Sequence, residues 1–169
     1  FYLRSVNSSN RWEGSGYHPP SKGYGVAIVV LVLVSAAVQY VALQRIKAGS
    51  KSVWQAGALV ALLAGLAAVV LQILELLNLP FQPGSSGFSS VFTGTSPILL
   101  VSWLAAMIWL EILIMRVRPL PAISFVEQPP TYAEAFAVQR FQASVSGFTV
   151  IWNYLALVTL FFFLLFYVL

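Results

Sequence analysis

VWQAGALVALLAGLAAVVLQILELL, residues 53–77, is the stretch whose reading decides the fold. As a helix rising 1.5 Å per residue it reaches about 37 Å, enough to cross a hydrocarbon core of roughly 30 Å. Its one ionisable side chain, Glu75, lies about a turn from its end. Gly57, Ala61, Gly65 and Ala68 recur every three or four residues, so they share one helical face. Small residues at that spacing predict close approach by a second helix backbone.

Working outward from this span, H2, the same composition recurs in both directions. An almost unbroken Val/Leu/Ala/Ile run gives H1 over residues 24–43, Pro97 opens H3 over 97–115, and H4 covers 145–169. The fold class is therefore all-α, an integral membrane helical bundle of about four transmembrane helices over residues 24–169. Residues 1–23, rich in Ser, Asn, Gly and Pro, form an extramembrane arm. Asn78 to Ser96 carries no charge and reads as an ordered interfacial loop, while 119–140 is a polar connection whose second half suits a short surface helix. The chain begins at Phe1 rather than methionine, so an earlier portion is expected to have been processed away or to lie outside this sequence. Composition agrees with lipid as the solvent: 8% of residues are charged and 59% hydrophobic, against about 25% charged in soluble domains.

The same inventory excludes much chemistry. There are no cysteines, no aspartates and a single histidine, His18, in the arm. Met107 and Met115 are the remaining soft donors in the spans, and in apolar helices methionine fills gaps. No nucleophile–base pair and no metal cluster is legible, so catalytic, cofactor-binding and metal-ligating residues are all expected to be absent. The nine basic residues are scattered among loops rather than gathered in a stripe, which argues against nucleic acid as a partner. A transporter requires a polar path or broken helices near mid-span, and neither is visible.

Ionisable groups inside a span are the first place to look for function. Glu75 and Glu111 are the two candidates. Glu75 is expected to reach the headgroups or bond to the loop that follows it, and Glu111 to pair with Arg116 or Arg118. A proton relay is the sharper alternative, to which H1 and H4 add only Gln39, Tyr40, Asn153 and Tyr154. Trp54, Tyr24 and Tyr167 sit where interfacial aromatic anchors belong, and the phenylalanine-rich stretch Leu160 to Leu169 is expected to face lipid or a large apolar partner. Both loops flanking the uncharged one are basic, which places them on the cytoplasmic side and the C-terminus on the outer side.

From Pro19 to Leu169 the order of these features resembles subunit III of haem-copper terminal oxidases, the cytochrome c oxidase type. The carriers are Pro19-Pro20 before H1, the ending Gln72-Ile73-Leu74-Glu75 as a Q-x-x-E pattern, Gly87-Phe88 and Phe92-Thr93-Gly94 ahead of H3, and Ile151-Trp152-Asn153-Tyr154 in H4. The chain departs from that family where Thr95-Ser96-Pro97 replaces its histidines, Asn153 its last-helix histidine, and Leu155 and Ala156 its aspartate; the first helix of even the family's shortened, five-helix forms is expected to lie outside this fragment. The resemblance implies a divergent, non-catalytic accessory subunit of a respiratory chain complex. It implies packing against a catalytic subunit I that holds the haem and copper, this chain binding neither and acting on no small-molecule substrate of its own. Membrane lipids are the other expected partner, in a bacterial plasma membrane or another energy-transducing membrane. The alternative is a structural membrane subunit of another electron-transfer complex, whether nitric oxide reductase-associated, photosynthetic or an alternative complex.

Overall fold

The computed structural model describes residues 20–120 and 132–168. The expected arm falls outside them up to residue 19. Four helices in the described residues are long and apolar enough to cross a membrane. They are α1 (Lys22–Lys47), α2 (Lys51–Leu77), α3 (Gly87–Val117) and α4 (Tyr132–Phe163), the last continued by a π-helical turn over Leu164–Val168. The protein is an all-α membrane bundle. The principal contacts run α1 to α2, α2 to α3, α3 to α4 and α4 back to α1, which closes the helices into an up-down-up-down ring.

The turns follow from local chemistry. After α1, Gly49 adopts φ 89°, and the amides of Gly49 and Ser50 return to the carbonyls of Ile46 and Arg45 at 3.1 and 2.9 Å. This is a Schellman closure, which a side chain at that φ would strain. α2 stops at Asn78, whose Nδ2 donates to the Leu74 carbonyl at 2.7 Å, and Pro80 follows, which cannot continue a helix.

Two span boundaries differ from the sequence expectation. α3 begins at Gly87 rather than Pro97, because Ser86 and Ser89 form a reciprocal capping box with bonds of 3.0 and 2.8 Å. Pro97 is thus internal to the helix. It forfeits one backbone bond, a loss that Ser and Thr side chains help neighbouring turns to tolerate in membrane helices. α4 absorbs the expected surface helix as its own first turns, starting at Tyr132 rather than 145. Its α and π portions together give a span of 36 residues from Ala133 to Val168, about 54 Å long.

The radial distribution of polarity is that of a membrane protein. Leu63, Val101, Val150 and Leu157 are each more than 60% exposed, whereas Ser35, Gln39, Gln72, Glu75, Thr149 and Thr159 are buried. The centre holds Trp103 against Trp152, edge to face with centroids 4.9 Å apart, and Phe148 against Trp152 at 5.3 Å. The small residues of α2 do what their spacing predicts. A Cβ at Gly57 would sit 2.8 Å from the Cβ of Ala42 in α1, and one at Gly65 would sit 3.3 Å from the Trp152 ring. Trp54 departs from expectation: it is fully buried against the edge of Phe141 and anchors no interface.

Candidate functional site

Several of the buried polar groups fasten neighbouring helices to one another. Near the middle, Ser35 of α1 donates to the Ala61 carbonyl of α2 at 2.7 Å and accepts from the Trp152 indole N–H of α4 at 3.2 Å. The Trp103 indole of α3 donates to Thr159 Oγ1 of α4 at 3.0 Å. Nearer the end where α2 stops, Gln72 Nε2 donates to the Ser96 carbonyl of α3 at 3.3 Å. At that end, the Tyr167 hydroxyl donates to the carboxyl of Glu75.

Glu75 is 5% exposed. The sequence expectation that it reaches headgroups or the following loop is corrected: its partner is the end of α4. The reason lies in helical phase. Ala58, Ala61, Gly65, Ala68, Gln72 and Glu75 form one continuous buried stripe of α2, so the face that approaches α1 and α4 carries the carboxyl inward. Tyr167 is held in turn from two sides. Its ring stacks on Phe163 at 5.4 Å, and it lies so close to α1 that a Cβ at Gly25 would meet it at 2.7 Å. Around the pair, Phe81, Phe88, Phe92 and Phe166 interlock at centroid distances of 5.3 to 5.9 Å. Thus Phe166, expected to face lipid or a partner, is interior, while Phe161 is 63% exposed as expected.

Beside the pair lies a cavity of about 40 Å³ lined by Gln72, Ser96, Thr159, Tyr167, Gly25 and Phe162 among others. That is room for water, and four of those side chains are polar.

The second candidate behaves differently. Glu111 is exposed on the outer surface of α3, between Ile108 at 59% and Ile112 at 44% exposure. Among the described residues it makes no ion pair with Arg116 or Arg118: five residues along a helix rotate Arg116 about 140° away from it, and Arg118, seven residues on and past the helix end, shares its phase but lies about 10 Å farther along the axis. Of the residues named as possible relay members, Gln39 is buried, Asn153 is half-buried, and Tyr40 and Tyr154 are exposed. Gln39 has neither amide atom hydrogen-bonded, and the Trp54 N–H is likewise unpartnered. Met107 is 6% exposed and Met115 65%, so they face opposite environments. No group of three or more His, Cys, Asp or Glu converges among the described residues.

No family model and no curated protein matches this chain. The site is therefore read from its own geometry: a carboxyl–phenol pair closed under aromatic rings, one turn from a glutamine that bridges α2 and α3, with a small polar cavity alongside. Such a pair can position a proton and lock helices. Sequence reasoning reached Glu75 but missed Tyr167 as its partner, and it missed Gln72, Ser35, Trp103, Trp152 and Thr159 as fasteners. For Gln72 the signal was present, since the small-residue period of α2 continues through positions 72 and 75.

The opposite end of the bundle is basic. Arg45, Lys47, Lys51, Arg116, Arg118 and Arg140 lie there, against Lys22 alone among the described basic residues at the other end. Lys51 Nζ donates to the Arg118 carbonyl at 2.9 Å and to the Leu120 carbonyl. It neutralises the negative end of the α3 dipole and ties the start of α2 to it.

Proposed function

We propose that this chain is a non-catalytic accessory subunit of a respiratory haem-copper oxidase, similar to subunit III, that packs against and stabilises the catalytic subunit I. The observation that carries the reading is the fate of the Gln72-x-x-Glu75 ending that the resemblance rests on. Both residues are buried, and each fastens α2 to another helix. Ser35, Trp103, Trp152 and Thr159 likewise join neighbouring helices, as suits a scaffold. The long apolar faces left exposed on every helix, with the lone carboxyl of Glu111 on one of them, offer a subunit surface within the membrane. In this reading haem and copper reside in the partner, the membrane is a bacterial plasma membrane or another energy-transducing one, and the basic end lies in the cytoplasm.

The test is gentle solubilisation of the native membrane, isolation of the assembly that holds this chain, and a reduced-minus-oxidised visible spectrum with oxygen uptake. Haem-copper oxidase bands and cyanide-sensitive respiration in that assembly are expected. A partner without haem or oxygen reduction refutes the proposal.

A further inference from the structure

Glu111 is an ionisable group that the bundle leaves on its outside. It precedes the end of α3 at Val117 by six residues, so it stands about 9 Å inside the helix end, and its side chain is exposed among apolar neighbours. Ionisable groups within a span almost always face the bundle interior or pair with one another. Glu111 does neither. Among the described residues neither it nor Arg116 makes an ion pair or a hydrogen bond through its side chain, so whatever satisfies the carboxyl comes from outside the bundle.

The surface around it has the form of a helix-pairing seam. Ile98, Val101, Ala105, Ile108, Ile112 and Met115 follow one another at alternating spacings of three and four residues. All six are exposed, the five larger ones between 44% and 68%. They run along the face opposite the one that α3 buries through Leu99, Trp103, Ala106, Leu110, Leu113 and Val117. From Ile98 to Met115 the stripe measures about 26 Å, most of a hydrocarbon core of roughly 30 Å. Alternation of three and four is the heptad pattern of helices that interlock along their length, with these six residues at the a and d positions. Ala105, near the middle, lets two backbones approach closely.

Charge selects the occupant. In this register Glu111 takes a g position and Arg116 the e position of the next heptad, on opposite edges of the seam. Between two parallel helices the g edge of one lies beside the e edge of the other, and residues five apart are brought together. The spacing that separates Glu111 from Arg116 within one chain therefore joins Glu111 to the partner's Arg116. Two copies inserted by the same signals share one orientation, so their α3 helices run parallel. A two-fold interface is self-complementary, which satisfies both carboxylates and both guanidinium groups at once. A foreign helix has to bring an anion and a cation in the same five-residue register, and a second copy of this chain already carries them.

We infer that the outer face of α3 is a homodimer interface, in which two copies pair as a parallel coiled coil fastened by reciprocal Glu111–Arg116 ion pairs. The inference does not rest on the oxidase reading, and α1, α2 and α4 keep exposed apolar faces for other subunits.

The protein has no cysteine, so single cysteines in the full chain report contact by oxidative cross-linking in native membranes. I108C and I112C, on the seam, are expected to form a disulfide-linked dimer, because like a and d positions face each other across the two-fold axis. L63C and V150C, at least as exposed on α2 and α4, are expected to give only the background of random collision. In the I108C background, E111R or R116E alone sets like charges against each other and should slow cross-linking about tenfold. E111R/R116E exchanges the charges within each pair and should return the rate to within about threefold of I108C itself. E111Q, which adds no repulsion, should slow it about threefold and covers the case in which a reversal variant fails to accumulate. Cross-linking of L63C or V150C as fast as I108C, unchanged rates in the single reversals and in E111Q, no rescue by the double reversal, or an I108C disulfide to a different subunit in place of a second copy each overturns the assignment.

Discussion

Replacing Tyr167 by phenylalanine deletes one hydroxyl and leaves the ring stack intact, which makes it a clean probe of the Glu75 latch. Hydrogen bonds between membrane helices average about 0.6 kcal/mol and reach about 1.7, while bonds to an ionised carboxylate in proteins are worth about 1.5–3. With Glu75 5% exposed and the phenol its hydrogen-bond donor, the loss belongs at the upper end of the first range, about 1–2 kcal/mol. For a chain of this size that lowers the unfolding midpoint by roughly 2–8 °C. The assay is thermal unfolding in mild detergent followed by tryptophan fluorescence, with Y167F, E75Q and the double variant closing a thermodynamic cycle. A coupling of about 1 kcal/mol or more is expected. G25A should reproduce most of the Y167F loss, because the new Cβ pushes the ring away from α1, and Y154F, on an exposed tyrosine, should change nothing. If the coupling is indistinguishable from zero, the latch does not hold the helices together and the reasoning fails.

Other substitutions test other levels of the bundle. S35A removes the acceptor of the buried Trp152 N–H and a bond to Ala61, and an orphaned buried donor should cost about 1–3 kcal/mol, seen as a lowered midpoint; an unchanged midpoint contradicts it. Q39L removes a buried amide that has no partner, so stability should hold or rise by up to about 2 kcal/mol, and a clear loss would show that the amide is satisfied after all. G57V drives a branched side chain into Ala42, already 2.8 Å from the nearest possible Cβ position, and should cost about 1–3 kcal/mol through overpacking of α1 on α2. Because the protein has no cysteine, single variants S50C and S85C report sidedness in intact membranes: an impermeant maleimide added outside should label S85C and spare S50C, and the reverse pattern inverts the assigned orientation.

The number and nature of the helices are legible in the sequence, because a long run without charge has few solutions other than a span. Their ends are less so. Pro97 is a strong stop signal read alone, yet Ser86 and Ser89 start the helix ten residues earlier, and the capping box is spelled with serine at both positions rather than the usual glutamate or glutamine partner. α4 began early for a related reason: its first turns are amphipathic enough to resemble a separate surface helix, and only packing of Val138 and Phe141 into the core shows that they are continuous with the span. The carboxyl of Glu75 was found by its cost in lipid, but its partner lies 92 positions away, beyond any local pattern. Glu111 shows the converse, since proximity in sequence to Arg116 says little when the helical phase separates the two.

The latch also constrains the order in which the molecule can be built. Gly25 belongs to the first helix, Glu75 to the second, Phe92 to the third and Tyr167 to the fourth, so the junction where they meet draws on every segment in turn. The α1–α2 hairpin, with a short connection and the most extensive contact in the bundle, can form as soon as both spans have left the ribosome. The aromatic end cannot, and while α4 is pending the Glu75 carboxyl stays in the membrane without its phenol. Biogenesis should therefore pass through a paired-helix stage that exposes an acidic group to lipid, an interval in which an insertase or quality-control protease has something specific to recognise.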